Sequence, residues 1–275
     1  MTSIKVLTWN VRGLNNMRKR YGVQAYAKRR GAQVIMLQET HLLREEGMAL
    51  QRRWRGQVYC TTYSAFSRGV LIWIRPGVPF QEHKVEIDEA GRYIILCGRL
   101  HGRDVAFVNI YAPNIEQSGF LDRLSGRLLS ITQYPMIVGG DFNCVPDTTM
   151  DRSHPPLPRS PVHRMAGCMR DWASRWSLTD SWRAQHPDLR DYSFFSSMHD
   201  LYVRLDRIYC TPLMQELVCG AEYLPRTFSD HNPLIMTMRI SLVREPIPSW
   251  TLKREMLEDV AFRDMLRSVI VNYFD

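Results

Sequence analysis

No apolar run in the 275 residues approaches the roughly 18 needed to cross a bilayer, which excludes a membrane-spanning helix. The first residues enter a strand-like segment, IKVLTWNVRG, without the apolar core of a secretory signal, so the expectation is an intracellular protein. No C-x-x-C pair occurs. The six cysteines (Cys60, Cys97, Cys144, Cys168, Cys210 and Cys219) are scattered, which excludes zinc-ribbon spacing and a disulfide framework and predicts free thiols. Internal repeats and low-complexity tracts are also missing. Lysine is scarce: 31 of the 36 basic residues are arginine, in a chain of net charge +8. Arginine suits bidentate contact with phosphate, so a polyanionic partner is expected, nucleic acid first.

What is present is a series of short apolar runs that each end in a polar residue. Residues 136–138 (Met-Ile-Val) read as a strand buried on both faces. Gly139 and Gly140 break it, and Asp141 and Asn143 follow. Residues 4–9 alternate as a strand and deliver Asn10 before Gly13. Residues 34–37 deliver Gln38-Glu39-Thr40-His41, and residues 105–111 deliver Tyr111 and then Asn114. Residues 57–62, 69–74, 81–87, 93–100 and 105–111 read together as an antiparallel half-sheet. Helices are predicted at 17–30, with Tyr21, Ala25 and Ala27 toward the core, at 116–133 and at 162–176. A proline-rich loop separates the last two.

Downstream, residues 192–195 and 203–209 read as strands joined by a hairpin. Asp206 stands between apolar neighbours in RLDRI, the setting of a buried, paired acid. Ser229, Asp230 and His231 precede a last strand at 234–240. Beyond it, residues 241–275 read as a linker followed by an amphipathic helix. Collected, the strand-end residues offer carboxylate and amide oxygens for a hard divalent cation, groups that bind anionic oxygens, and an aspartate–histidine combination. That is the chemistry phosphodiester hydrolysis requires.

Six segments in order, WNVRG (9–13), QETH (38–41), IYAPN (110–114), GGDFN (139–143), RLDRI (204–208) and SDHNP (229–233), resemble the endonuclease/exonuclease/phosphatase superfamily, which includes DNase I, exonuclease III and abasic-site endonucleases. The resemblance implies an α/β fold, a DNase I-like four-layered sandwich of two packed mixed sheets flanked by helices. It implies Glu39 as the principal ligand of Mg²⁺ (or Mn²⁺), with Asn10 and Asp230 beside it. Asp141 would orient or deprotonate the attacking water and Asn143 would hold the phosphate. Tyr111 and Asn114 would stabilise phosphate oxygens, and His231, held by Asp206, would contact the scissile group. Ser193 and Ser229 match supporting phosphate contacts, and the hairpin residues His199, Tyr202 and Arg204 are expected to probe a minor groove.

Within the superfamily the chain is most similar to the N-terminal endonucleases of LINE-type non-LTR retrotransposons, through YSFFS (192–196), RLDRIY (204–209) and the tail from Trp250. That branch implies an endonuclease domain over 1–240 and a linker over 241–275 leading to a reverse transcriptase outside this chain. The domain would be monomeric and would nick double-stranded DNA in the nucleus. It would leave a 3′-hydroxyl that primes reverse transcription. The alternatives are an abasic-site repair endonuclease of the same fold, a phosphodiesterase or phosphatase of small molecules or lipids, and a nucleic-acid-binding module without catalysis.

Overall fold

The computed structural model describes residues 2–157, 159–240 and 258–274. The chain divides into two compact units, Met1–Leu242 and Val243–Asp275. The first begins β1 (Thr2–Asn10), α1 (Met17–Arg29), β2 (Val34–Gln38), α2 (Arg44–Arg53), β3 (Gln57–Cys60) and β4 (Val70–Ile74). It continues β5 (Phe80–Ile87), β6 (Tyr93–Leu100), β7 (Arg103–Tyr111), α3 (Gln117–Leu128), β8 (Met136–Asp141) and α4 (Pro161–Arg175). It closes with β9 (Thr179–Asp180), α5 (Ser181–Gln185), β10 (Phe194–Ser196), β11 (Leu201–Val203), β12 (Asp206–Cys210), α6 (Pro212–Gln215), β13 (Val218–Tyr223) and β14 (Leu234–Ile240).

Two six-stranded sheets result, ordered β13-β14-β1-β2-β4-β3 and β5-β6-β7-β8-β12-β9, with β10-β11 a separate ribbon. Pairings β1·β2 and β7·β8 are parallel and the other named pairings antiparallel, so both sheets are mixed. Alternation decides the layers. Ile4 and Val6, Val34 and Met36, and Val105 and Phe107 face the core between the sheets. Leu7 and Trp9 face outward to Val23, Tyr26 and Ala27 of α1. Val108 and Val138 face Leu121 and Leu124 of α3 and Met169 and Trp172 of α4. The four-layered sandwich expected from the motifs is the fold observed.

The differences from the sequence reading are specific. The strands read as one antiparallel half-sheet are divided, β3 and β4 joining the first sheet and β5, β6 and β7 the second. The core face of α1 is Val23, Tyr26 and Ala27, with Arg20 also buried; Tyr21 and Ala25 are exposed. The single strand expected over 203–209 is broken at Arg204–Leu205: Val203 pairs within the ribbon, whereas Asp206 opens β12 opposite Asp141 of β8.

The second unit contains α7 (Val260–Phe274), capped by the Asp259 carboxylate, which accepts from the backbone N–H groups of Ala261 and Phe262. Of the linker expected over 241–275, residues 241–257 lie outside the described residues.

Candidate active site

Register carries the polar strand ends to one edge of the sandwich. Asn10 pairs with Gln38, Tyr111 with Asp141, and Asp141 with Asp206. The turn at Gly140 needs glycine: its φ is +151° and a Cβ there would lie 1.9 Å from the Ile110 carbonyl oxygen. That close approach lets Asp141 leave β8 at the level of Tyr111.

Asn10 joins the two sheets at the centre. Its Nδ2 donates to Glu39 Oε1 and to Asp141 Oδ2, both at 2.9 Å. Glu39 adopts a left-handed φ of +49°, strapped by the Gly13 N–H donating to its carbonyl at 2.7 Å. Burial opposes ionisation of Glu39. Hydrogen bonds with His41, Asn10 and Tyr111 outweigh it and hold the carboxyl at about 2. A part-exposed, ionised carboxylate, with the Asp141 carboxylate across the Asn10 Nδ2 group, is the oxygen-donor chemistry a hard divalent cation takes, so the residues fit such an ion. Asp230 is ion-paired with Arg12 at 2.9 Å in an exposed contact. Such a pair is weak and releases its carboxylate at little cost.

On the other side, Asp206 is fully buried and its Oδ2 lies 2.7 Å from His231 Nδ1. Burial works against charge on the imidazole, but the Asp206 carboxylate prevails, with help from Asp141 and Asp230. The histidine is pushed up to about 9 and is a cation at neutral pH. Its ring packs on Phe194 with centroids 4.7 Å apart, and its Nε2 stands 4.0 Å from Asp141 Oδ2. Burial and the nearby Asp206 raise the Asp141 carboxyl to about 6, against the pull of His231, Asn10 and the Asn143 N–H.

Ligating atoms of Asp141, Asp206 and His231 lie within 4.8 Å of one another. That group is closed on itself: the histidine is a cation already bonded to Asp206, and a cationic imidazole does not ligate metal. Glu39 is the better anchor for a cation.

Tyr111 carries the Arg92 guanidinium over its ring at 4.9 Å, and its hydroxyl is hydrogen-bonded to Glu39. Burial, the Glu39 charge and that bond raise its pKa, so it remains a phenol. Asn143 donates its backbone N–H to Asp141 Oδ1 and its Nδ2 to the Ala112 carbonyl. Asn114 is exposed in the loop after β7. Ser229 is buried, donating its hydroxyl to Asp230 Oδ1 and accepting from the His231 N–H.

Two of the sequence expectations are corrected. Arg204 does not reach a groove. It is 1% exposed, and its guanidinium is bound to Asp151 and Asp180 beneath the ribbon. Ser193 is likewise buried, its Oγ accepting the N–H groups of Leu205 and Asp206, so it fixes β12 instead of facing phosphate. His199 and Tyr202 are exposed as expected, with Tyr202 packed on Phe195 at 4.5 Å. Arg12, His41, Arg92 and Phe194 were not foreseen. Arg12, His41 and Phe194 carried a sequence signal, through their places in WNVRG, QETH and YSFFS, and Arg92 carried none.

Residues 7–231 match the model of the Endonuclease/Exonuclease/phosphatase family. The chain belongs to that family. Membership makes it a nuclease or phosphodiesterase in outline, in keeping with the geometry above. The chain is 27% identical over 272 residues (96% of its length) to the Transposon TX1 uncharacterized 149 kDa protein of Xenopus laevis, and spans 20% of that protein. It is 24% identical over 264 residues to the exodeoxyribonuclease of Bacillus subtilis, covering 86% of this chain and all of that one. Its fold matches an AP endonuclease from Archaeoglobus fulgidus with a TM-score of 0.70 and 20% identity, across 86% of this chain and 100% of the other.

Proposed function

We propose that the chain is the endonuclease segment of a non-LTR retrotransposon protein, which nicks one strand of duplex DNA and leaves a 3′-hydroxyl to prime reverse transcription. The observation that carries this reading is the reach of the transposon likeness. It extends over 272 residues, past the family match that ends at His231, into a protein of which this chain would form a fifth. The arginine-rich composition supports a nucleic-acid substrate, and acting on chromosomal DNA places the work in the nucleus. On this reading residues 1–240 are the nuclease domain and residues 241–275 lead toward a reverse transcriptase.

Glu39 would hold a Mg²⁺ or Mn²⁺ ion, with Asn10 and Asp230 as further oxygen donors. When bound, the ion supplies Lewis-acid polarisation of the phosphate and neutralises charge gathering on it. The protein's own groups do the rest. Asp141, ionised at neutral pH and raised toward it, accepts the proton of the attacking water. Attack on phosphorus breaks the P–O3′ bond, giving a 3′-hydroxyl and a 5′-phosphate. His231, kept cationic by Asp206, donates to a phosphate oxygen, and Asn143, Asn114 and Tyr111 stabilise the others. The exposed hairpin residues His199 and Tyr202 would meet the minor groove, where width and deformability are read.

The second reading, a repair enzyme cleaving at abasic sites, is supported by the fold match to an AP endonuclease. Supercoiled plasmid and an abasic oligonucleotide, each with Mg²⁺, separate the two. Relaxed circles with polymerase-extendable ends are expected from wild type and not from Asp141→Ala or His231→Ala. Cleavage of the abasic substrate with intact plasmid would favour repair, and inactivity on both would leave a binding module.

A further inference from the structure

A second polar tier lies directly beneath the strand-end residues. The inward positions run Ile4, Val6, Thr8 on β1; Val34, Met36, Gln38 on β2; and Val105, Phe107, Asn109 on β7. Gln38 and Asn109 are both completely buried. Gln38 Nε2 donates to Asn109 Oδ1 at 2.7 Å and to Thr8 Oγ1 at 3.0 Å. Asn109 Nδ2 crosses the core to donate to the carbonyls of Leu37 on β2 and Leu71 on β4, at 3.0 and 2.8 Å. A single residue of the second sheet is thereby bonded to two strands of the first. Close approach persists beside it: a Cβ on Gly139 would lie 3.0 Å from Met36 Sδ.

Stability alone does not account for this pair. Two amides in an otherwise apolar interior bring desolvation costs, and here Gln38 Oε1 has no partner. An apolar residue in place of Gln38 would fill the same space without that orphaned oxygen. What the amides add is a single allowed register between the sheets. That register matters one tier above. Glu39 follows Gln38 at the end of β2, Tyr111 stands two residues beyond Asn109 on β7, and the Tyr111 hydroxyl is one of the groups that stabilise the Glu39 carboxylate.

We propose that Asn109, acting through Gln38 and the Leu37 and Leu71 carbonyls, is a positioning residue that fixes Glu39 against Tyr111 and so sets the affinity of the cation site. The inference rests on the metal-dependent reading given above.

The test is Mn²⁺ binding followed by electron paramagnetic resonance, with thermal unfolding and plasmid nicking alongside. In Asn109→Leu the Mn²⁺ Kd should rise about ten-fold, the lower end for supports behind a metal ligand. The double variant Gln38→Met/Asn109→Leu should regain much of the lost Tm while keeping the raised Kd, which a purely structural role would not produce. An unchanged Kd in a folded Asn109→Leu protein overturns the inference and leaves the nuclease reading standing. Should Asn109→Leu not fold, Gln38→Met carries the test, because it keeps both carbonyl bonds of Asn109. A several-fold rise in Kd supports the inference and no rise overturns it. If wild type neither binds Mn²⁺ nor nicks DNA, the nuclease reading fails and takes this inference with it.

Discussion

Replacing Asp151 by asparagine should destabilise the protein far more than a surface change. Asp151 is fully buried and accepts from Arg204 Nε at 2.7 Å, from Arg183 at 2.9 Å and from Arg207 at 3.1 Å. Arg204 and Arg207 are themselves buried, and Asp180 is the one other carboxylate ion-paired with them among the described residues. Loss of the Asp151 charge leaves two buried guanidinium groups sharing a single counter-ion. Breaking a buried pair in this way costs about 3–5 kcal/mol. In a domain of this size each kcal/mol moves Tm by about 2–4 °C, so a fall of roughly 6–20 °C is expected by circular dichroism.

The pH dependence gives a second check. Burial opposes ionisation of Asp151, but Arg207, Arg204 and Arg183 overcome it and lower its pKa. A depressed carboxylate contributes stability that is complete above its unfolded pKa, near 3.9, and is lost as pH falls toward the folded value. The Tm gap between wild type and Asp151→Asn should therefore be constant around neutrality and narrow below about pH 4. A fall of less than about 2 °C at pH 7, or a gap that widens in acid, would refute the reasoning.

Gly140→Ala should cost about 3 kcal/mol or more, because its Cβ would overlap the Ile110 carbonyl; thermal unfolding or loss of soluble protein reads this. His231→Ala and Asp206→Asn should each lower the nicking rate on supercoiled plasmid by about 10²–10³-fold, the range for losing one charge-stabilising donor, with DNA affinity much less affected. Replacing residues 197–200 together with Tyr202→Ala should redistribute nick positions mapped by primer extension while total nicking persists; an unchanged map would remove the hairpin from site choice. Arg12→Ala, which frees Asp230, should lower Tm by no more than about 4 °C, since an exposed pair contributes about 0–1 kcal/mol.

Much of the candidate catalytic edge was legible in the sequence because Asn10, Glu39, Tyr111 and Asp141 follow or end apolar runs, and period-two alternation says which side chains face inward. Asn10, Tyr111 and Asp141 could be placed by that rule alone, whereas Glu39 has the parity opposite to the inward Gln38 and breaks the alternation through its left-handed φ. Asp206 was legible as a buried acid from its apolar neighbours. Arg204 was not, because a guanidinium near a hairpin reads as surface until its partners are known, and Asp151 lies 53 residues away. The allocation of β3 and β4 to one sheet and β5 to the other was hidden for a similar reason: local pattern reports strands, while sheet membership is decided by pairings distant in sequence. In α1, Tyr21 and Tyr26 are equally plausible core residues by type, and only the phase set by Val23 and Ala27 separates them.

The pairing of β1 with β14 has a consequence in time. A ribosome finishes β14 more than 220 residues after β1, and until then β1 lacks one of its two neighbours. His231 sits at the entrance to that final strand, with its carbonyl accepting from the Trp9 indole of the first. A nascent or truncated chain can carry Glu39 and Asp141 and still lack the His231 imidazole that faces Asp141. On the proposed reading, the nuclease site stays incomplete until β14 has been made, whatever part of the protein has yet to follow it.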